Sequence, residues 1–482
     1  MTSDSSKTVP NGIDGIPPPI SDAQTKTSEN KPTTVLPAEH YDYFLSDIAK
    51  ARKPSPIRGL FPLERTPGVI SLLAGKPNAS TFPFTSLSFT ARAPPSPNAN
   101  AQDTPKEHSI TLTADELNEG LQYGSTSGLE GINDWLTELQ ESEHGRKREG
   151  EGWRLSVTAG SQDGIYKAVM ALVNPGDSML VEKPVYAGVI PIFQSVNAEM
   201  IEVETDSEGI NSASLRSILE SWPANKPKPK VLYTVPYGCN PTGMTATLHR
   251  RLEVLELARE HNFLILEDDP YYYLYYGKSP RSSFPSYFSL EASTGGTLGH
   301  VVRFDSLSKV LSAGIRVGFV TGPVRIVNAI DMHTASANLQ PSSLIQSITH
   351  ALLREWGHAG FIAHTHTVSE FYRLKRDVFE AALQEFLGKE GLAEWSTPEA
   401  GMFFWFKLLN PAATDEEGDS ESLIRTKAFE NGVLALPGTV FLPNGAKTAY
   451  VRASFSLLEE AEVREALRRL REVLVREREA SA

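Results

Sequence analysis

The sequence predicts an α/β protein: a large domain on a mostly parallel sheet flanked by helices, joined to a smaller α+β domain from the chain ends. Three observations carry this. Short apolar runs stopped by turn residues alternate with stretches of helical spacing. Polar motifs follow directly on those runs, and in parallel sheets ligands gather at the carboxyl ends of the strands. The chain closes on a charged amphipathic helix that stands apart from the alternating part.

The elements follow in order. Residues 1–36 are rich in Ser, Thr, Pro, Lys and Asn; they bury too little apolar surface to offset ordering entropy and are expected to be a disordered tail. Residues 37–90 are expected to join the small domain, 91–355 to form the large one and 356–482 to complete the small one. Pro94–His108 and the acidic Pro411–Ser422 read as surface insertions. Lys230–Pro236 (KVLYTVP) reads as a buried strand, and Thr247–His261 as a helix with Leu248, Leu252, Leu255 and Ala258 on one face. Phe263–Leu266 and Val301–Phe304 read as further buried strands. Glu459–Glu479 carries Val463, Leu467, Leu470 and Leu474 on one helical face, suited to capping the small domain.

Composition excludes several function classes. The 482 residues suggest two or three domains at roughly 100–200 residues each. A net charge of −13 argues against binding nucleic acid through its phosphates. The single cysteine, Cys239, rules out an intrachain disulfide and fits a reducing compartment. No apolar run approaches the ~18–20 residues that span a bilayer. The N-terminus lacks the apolar core of a secretory signal, and Asp4, Asp14, Asp22 and Glu29 are atypical of a transit peptide. A cytoplasmic protein without membrane attachment is expected. His358, His364 and His366 cluster in sequence, but His364 and His366 are two apart on a helix and face different sides, so no metal site is expected.

The sharpest chemical signal is Asp305–Phe319, DSLSKVLSAGIRVGF. Lys309 follows two serines just beyond a strand, and an arginine lies seven residues further on. Ser306 and Ser308 can donate hydroxyl hydrogen bonds to a phosphate and Arg316 can pair with it bidentately. Cationic neighbours and partial burial lower the lysine pKa, so it can act as nucleophile and then as base. Four further motifs stand in order: TAGSQDGIYK from Thr158, a small-residue loop opening a helix whose free N–H groups suit a phosphate; EKPVYAG from Glu182; YGCNPTG from Tyr237; and EDDPYYY from Glu267.

With these motifs the chain, from about Tyr41 to about Val475, resembles the fold-type-I pyridoxal-phosphate aminotransferases (aspartate-aminotransferase-like), near the kynurenine/2-aminoadipate and fungal aromatic aminotransferases. The resemblance implies that pyridoxal 5'-phosphate is held covalently on Lys309, with its phosphate on Ser161, Gln162, Ser306, Ser308 and Arg316. It implies that Tyr186 stacks on the ring and that Asn240 and Tyr271 reach the phenolic oxygen. Asp268 would pair with the pyridinium nitrogen, with Asp269 the neighbouring alternative; Tyr272, Tyr273, Tyr275 and Tyr276 read as packing or pocket wall. Arg452 in VRASFS would clamp the substrate α-carboxylate, and Arg58 in ARKPSPIR would approach the substrate side chain. Gly75 in AGKPN would let the backbone come close, although AGKPN is one residue shorter than the family's AGGLPN. Tyr123 in LQYGSTSG would reach the neighbouring subunit's cofactor, making the active unit a homodimer. The implied reaction is ping-pong transamination of an aromatic amino acid, kynurenine or 2-aminoadipate with 2-oxoglutarate. A lyase or decarboxylase on the same fold is the first rival. A non-enzymatic cofactor sensor is the second, weakened because the residues before Tyr41 are too few and too polar for a DNA-binding domain.

Overall fold

The computed structural model describes residues 32–57, 60, 63–64, 66–73, 75–94, 106–409 and 418–480. Its larger sheet has eight strands: β1 (Trp153–Thr158), β2 (Ser178–Lys183), β3 (Glu199–Asp206), β4 (Gly209–Ile210), β5 (Val231–Thr234), β6 (Leu264–Asp268), β7 (Val301–Ser306) and β8 (Gly318–Pro323). Their order in space is β1-β8-β7-β6-β5-β2-β3-β4. The run from β7 through β6, β5 and β2 to β3 is parallel; β8 is antiparallel to β7 and β1, and β4 turns back on β3. β5 and β6 are buried at every position, as central strands covered on both faces must be.

Helix α1 (Ser161–Leu172) starts just after β1, and α2 (Leu248–His261) lies between β5 and β6. The Thr247 side chain caps α2 by accepting from Arg250 N, and Asn262 ends it in the left-handed region at φ 54°. Its buried face differs from the expected one. Arg251, Val254, Leu255, Leu257 and Ala258 are buried, whereas Leu248 is 39% exposed. Arg251 takes the inward place because its guanidinium donates to the carbonyls of Ala246, Pro236 and Pro285.

The smaller sheet is antiparallel, in the order β9 (Ala393–Trp395), β10 (Phe403–Leu408), β12 (Tyr450–Ser454), β11 (Leu436–Pro437). Helix α3 (Ser343–Phe386) links the two parts and is broken at Gly357, φ 61° and ψ 175°. Its start packs near Ile110 and Leu112, and Phe379, Ala382 and Leu383 near its end join the small core. The last helix, α4 (Glu460–Ala480), buries Val463, Leu467, Leu470 and Leu474 against Phe404, Phe406 and Val451. Among the described residues no helix is long and apolar enough to cross a membrane.

Three further expectations change. Residues 1–31 lie outside the described residues, but the end of the expected tail is a strand, Thr33–Val35, parallel to Gly296–Leu298. Backbone pairing needs no apolar side chains, so polar composition did not prevent it. Residues 95–105 and 410–417 also lie outside the described residues. The first insertion is narrower than expected, because Glu107–Thr111 pairs with Ser88–Arg92. The second ends earlier, in a helical turn at Ser420–Leu423. His358 and His364 bond to the carbonyls of Trp135 and Val310.

Candidate active site

The carboxyl ends of the parallel strands open on a cavity of about 360 Å³. It takes in every expected site residue except Arg58, Gly75 and Tyr123. Arg58 lies outside the described residues.

One end is built for an anion. β7 ends at Ser306 and a short turn, Leu307–Lys309, follows at once. Arg316, in the left-handed region at φ 51°, donates to Ser308 Oγ at 3.2 Å and to Ala159 O at 3.1 Å. Ser161 opens α1 beside it. Gly160 sits there at φ 90°, a conformation that L side chains rarely adopt, and its missing Cβ leaves room for the Arg316 guanidinium. A helix N-terminus, hydroxyls and a guanidinium therefore converge. Gln162 also lines the cavity, and its Nε2 donates to Gly188 O at 2.6 Å, tying down the loop that carries Tyr186. Lys309 is half-buried, and burial followed by the Arg316 charge holds its amine below the usual lysine range.

The floor holds Asp268, the last residue of β6. Tyr233 donates its phenol to Asp268 Oδ2 at 2.6 Å, while Oδ1 is buried with no partner among the described residues. Burial first of all pushes this carboxyl up to about 7. The alternative, Asp269, is engaged elsewhere: Arg303 donates to it at 2.8 Å and also binds Glu267 and Asp305 in a fully buried cluster. Tyr271 is buried at the edge, its ring 6.1 Å from that of Phe403. Tyr272, Tyr273 and Tyr276 are buried packing residues, as is Cys239.

The wall opposite comes from the small sheet. Arg452 on β12 donates Nη1 to Asn240 Oδ1 at 3.0 Å, and its guanidinium lies 4.3 Å from the Phe403 ring centre. Its Nε is buried without a partner among the described residues. Tyr233 and Phe403 were not anticipated. Tyr233 becomes relevant only because β5 lies beside β6 and Phe403 because β10 faces the large sheet, and neither neighbour relation is written locally in sequence.

Gly75 and Tyr123 are not brought to this cavity. A Cβ on Gly75 would meet nothing within 4 Å, so the expected close approach is absent within one chain. The stretch around it lies on the surface, with Ile70 91% and Leu72 98% exposed. Tyr123 is 53% exposed and lines a separate groove with Gln122 and Lys76.

The residues present fit pyridoxal phosphate. A dianion suits the Ser161–Arg316 end, the buried Asp268 Oδ1 suits a protonated ring nitrogen, and Lys309 lines the same cavity. Comparison with known proteins agrees. The family described as aminotransferase class I and II matches residues 96–470. The aminotransferase tdiD of Emericella nidulans is 43% identical over 418 residues, 87% of this chain and 92% of that one. The mitochondrial kynurenine/alpha-aminoadipate aminotransferase of Rattus norvegicus is 37% identical over 450 residues, 90% of this chain and 99% of its own. The crystal structure of Pyrococcus horikoshii kynurenine aminotransferase, in complex with PMP, superposes with a TM-score of 0.68 at 27% identity, covering 90% of this chain and 98% of that one. PMP is the amine form of pyridoxal phosphate. A cavity built for this cofactor and a match over most of the chain lead to one conclusion: the protein belongs to the class I and II aminotransferases and is a pyridoxal-phosphate-dependent enzyme of fold type I.

Proposed function

We propose that this enzyme transfers the amino group of an aromatic amino acid, kynurenine or 2-aminoadipate to 2-oxoglutarate, in two half-reactions at one site. The observation that carries the reading is the buried, unpartnered Oδ1 of Asp268 in a cavity that also holds Lys309 and Arg316. When bound, pyridoxal phosphate supplies the electron sink for the substrate carbanion. Lys309 Nζ would hold the cofactor and, as a free amine, would take the substrate α-proton and return it. The lowered lysine pKa favours the free base that this requires. Asp268, ionised by its cationic partner, keeps the ring nitrogen protonated. Ser161, Ser306, Ser308 and Arg316 would hold the phosphate, with the Gln162 side chain supporting the Tyr186 loop. Tyr186 would pack on the ring, Tyr271 and Asn240 would bond its phenolic oxygen, and Arg452 would take the α-carboxylate through its fork.

An aromatic side chain is favoured by the Phe403 ring, which lines the cavity beside Arg452. Arg58 would serve the acidic donor. Tyr123 and the segment with Gly75 would complete the site of a second copy, and the chain would divide near residues 90 and 355. Cytoplasmic residence, read from the N-terminal acids, stands beside the rat relative's mitochondrial name; cell fractionation decides it.

The test is visible absorbance of the purified protein as amino acids are added without an acceptor. The bound-aldehyde band should convert with aromatic donors, kynurenine or 2-aminoadipate, releasing stoichiometric oxo acid, and return with 2-oxoglutarate. A band that no such donor converts overturns the substrate class, and a band that another oxo acid restores but 2-oxoglutarate does not overturns the acceptor.

A further inference from the structure

Glu182, at the end of β2, is fully buried and has no ion-pair partner among the described residues. An uncompensated buried carboxyl is costly, so its surroundings must repay it. They do so with donors drawn from two places. Thr234 Oγ1 donates to Oε1 at 2.6 Å and Val235 N to Oε2 at 3.1 Å, both from the end of β5. The Cys239 thiol lies 3.5 Å from Oε2. Burial pushes the carboxyl up to about 7 against these hydrogen bonds, which favour its ionised form.

Each donor sits beside a residue of the site. Val235 lines the cavity itself. Cys239 immediately precedes Asn240 in a turn closed by Cys239 N to Met244 O at 2.9 Å and Gly243 N to Cys239 O at 2.6 Å. Asn240 in turn accepts from Arg452. A continuous path runs from Glu182 through the Cys239 side chain and the Asn240 turn to the substrate-facing arginine. We propose that Glu182 is a positioning residue: it ties the end of β5 to the Cys239–Gly243 turn and so sets Asn240, and through Asn240 the Arg452 guanidinium, for the substrate carboxylate. The role of Arg452 in this chain of contacts rests on the aminotransferase reading above.

Cys239 is the chain's single cysteine, so a thiol reagent reports this turn alone. The experiment measures Cys239 labelling in cofactor-free protein and donor kinetics in loaded protein, for wild type, Glu182→Met, Glu182→Gln and Thr234→Val. Glu182→Met keeps bulk but strips the acceptors, so labelling should rise about tenfold or more as the turn opens locally. Glu182→Gln can still accept from Val235 N and donate to Thr234 Oγ1, so labelling should stay within about twofold of wild type. Thr234→Val removes one bond and should give a smaller rise, about threefold. In loaded Glu182→Met, KM for the amino donor should rise about tenfold with kcat within about threefold, the pattern of lost substrate binding, and Glu182→Gln should restore it. Unchanged labelling in Glu182→Met, or in Thr234→Val should Glu182→Met fail to fold, overturns the proposal. So does faster labelling accompanied by equal losses in kcat and kcat/KM, which would mark a merely structural carboxyl. Labelling uses no cofactor, so it can fail or succeed whatever becomes of the aminotransferase reading.

Discussion

Around Lys309 the chain buries polar groups and leaves Asp268 Oδ1 and Arg452 Nε without a partner among the described residues, whereas between Ile57 and Phe84 it exposes large apolar side chains. Asp268 and Ser306 are buried at strand ends and Asn240 in the turn beyond β5, while Ile70, Leu72 and Leu63 stand 91%, 98% and 61% exposed. The first region takes its geometry from a sheet that one chain completes. The second presents surface that water would rather not meet, next to Gly75, a position expected to serve a site. The difference teaches that one chain brings the cavity residues together, while the Gly75 segment and Tyr123 lie apart from it with exposed side chains around them. Under the proposed function that exposed segment would meet a second copy of the chain.

Four results would break or sharpen this contrast. Lys309→Ala should lower kcat/KM for the amino donor by at least about a thousandfold, the scale of a lost acid–base group. It should also abolish the mass adduct that borohydride leaves on this residue; an adduct that persists moves the attachment point. Arg452→Lys keeps the charge but loses the planar fork, and KM for the donor should rise roughly ten- to a hundredfold. A KM unchanged within twofold would remove Arg452 from carboxylate binding. Ile70→Asp with Leu72→Asp should shift sedimentation toward monomer and cut activity while the circular dichroism spectrum stays as in wild type. A dimer of undiminished activity would end the reading of that stretch as an inter-copy surface.

The smallest effect concerns pH. Burial raises Asp268 in the folded, cofactor-free chain to about 7, above the ordinary carboxyl value that the unfolded chain retains. Between those two values the folded state binds more protons than the unfolded one. This stabilising contribution is therefore fully present at acid pH and is lost as pH rises toward 7, with a slope of at most about 1.4 kcal/mol per pH unit. Asp268→Asn should flatten that slope in urea unfolding of cofactor-free protein from pH 5 to 7. An identical slope in the variant would mean that Asp268 titrates normally.

Much of the site was legible because its residues are local to strand ends. DSLSK by itself places Ser306 at the end of β7 and Ser308 and Lys309 just beyond it, and NPTG declares the turn that carries Asn240. The choice between Asp268 and Asp269 was not legible: both follow the same strand, and only the folded chain shows that Arg303 engages Asp269. That the Gln162 side-chain amide donates to Gly188 O was likewise not legible. The buried face of α2 was misread because a buried arginine breaks the apolar spacing on which such a reading depends.

The sequence by itself determined the alternation of buried strands and helices, the lysine with its serines and arginine, and the packing face of the last helix, since these rest on periodicity and on residues adjacent in the chain. Tertiary structure alone decided that Tyr233 supports Asp268, that β12 carries Arg452 to Asn240, that Glu182 lies under the Cys239 turn, and that Gly75 stands clear of the cavity. These depend on which strands become neighbours and how the small sheet meets the large one. Such contacts join residues up to 212 positions apart, as Asn240 and Arg452 are, and no local pattern encodes them.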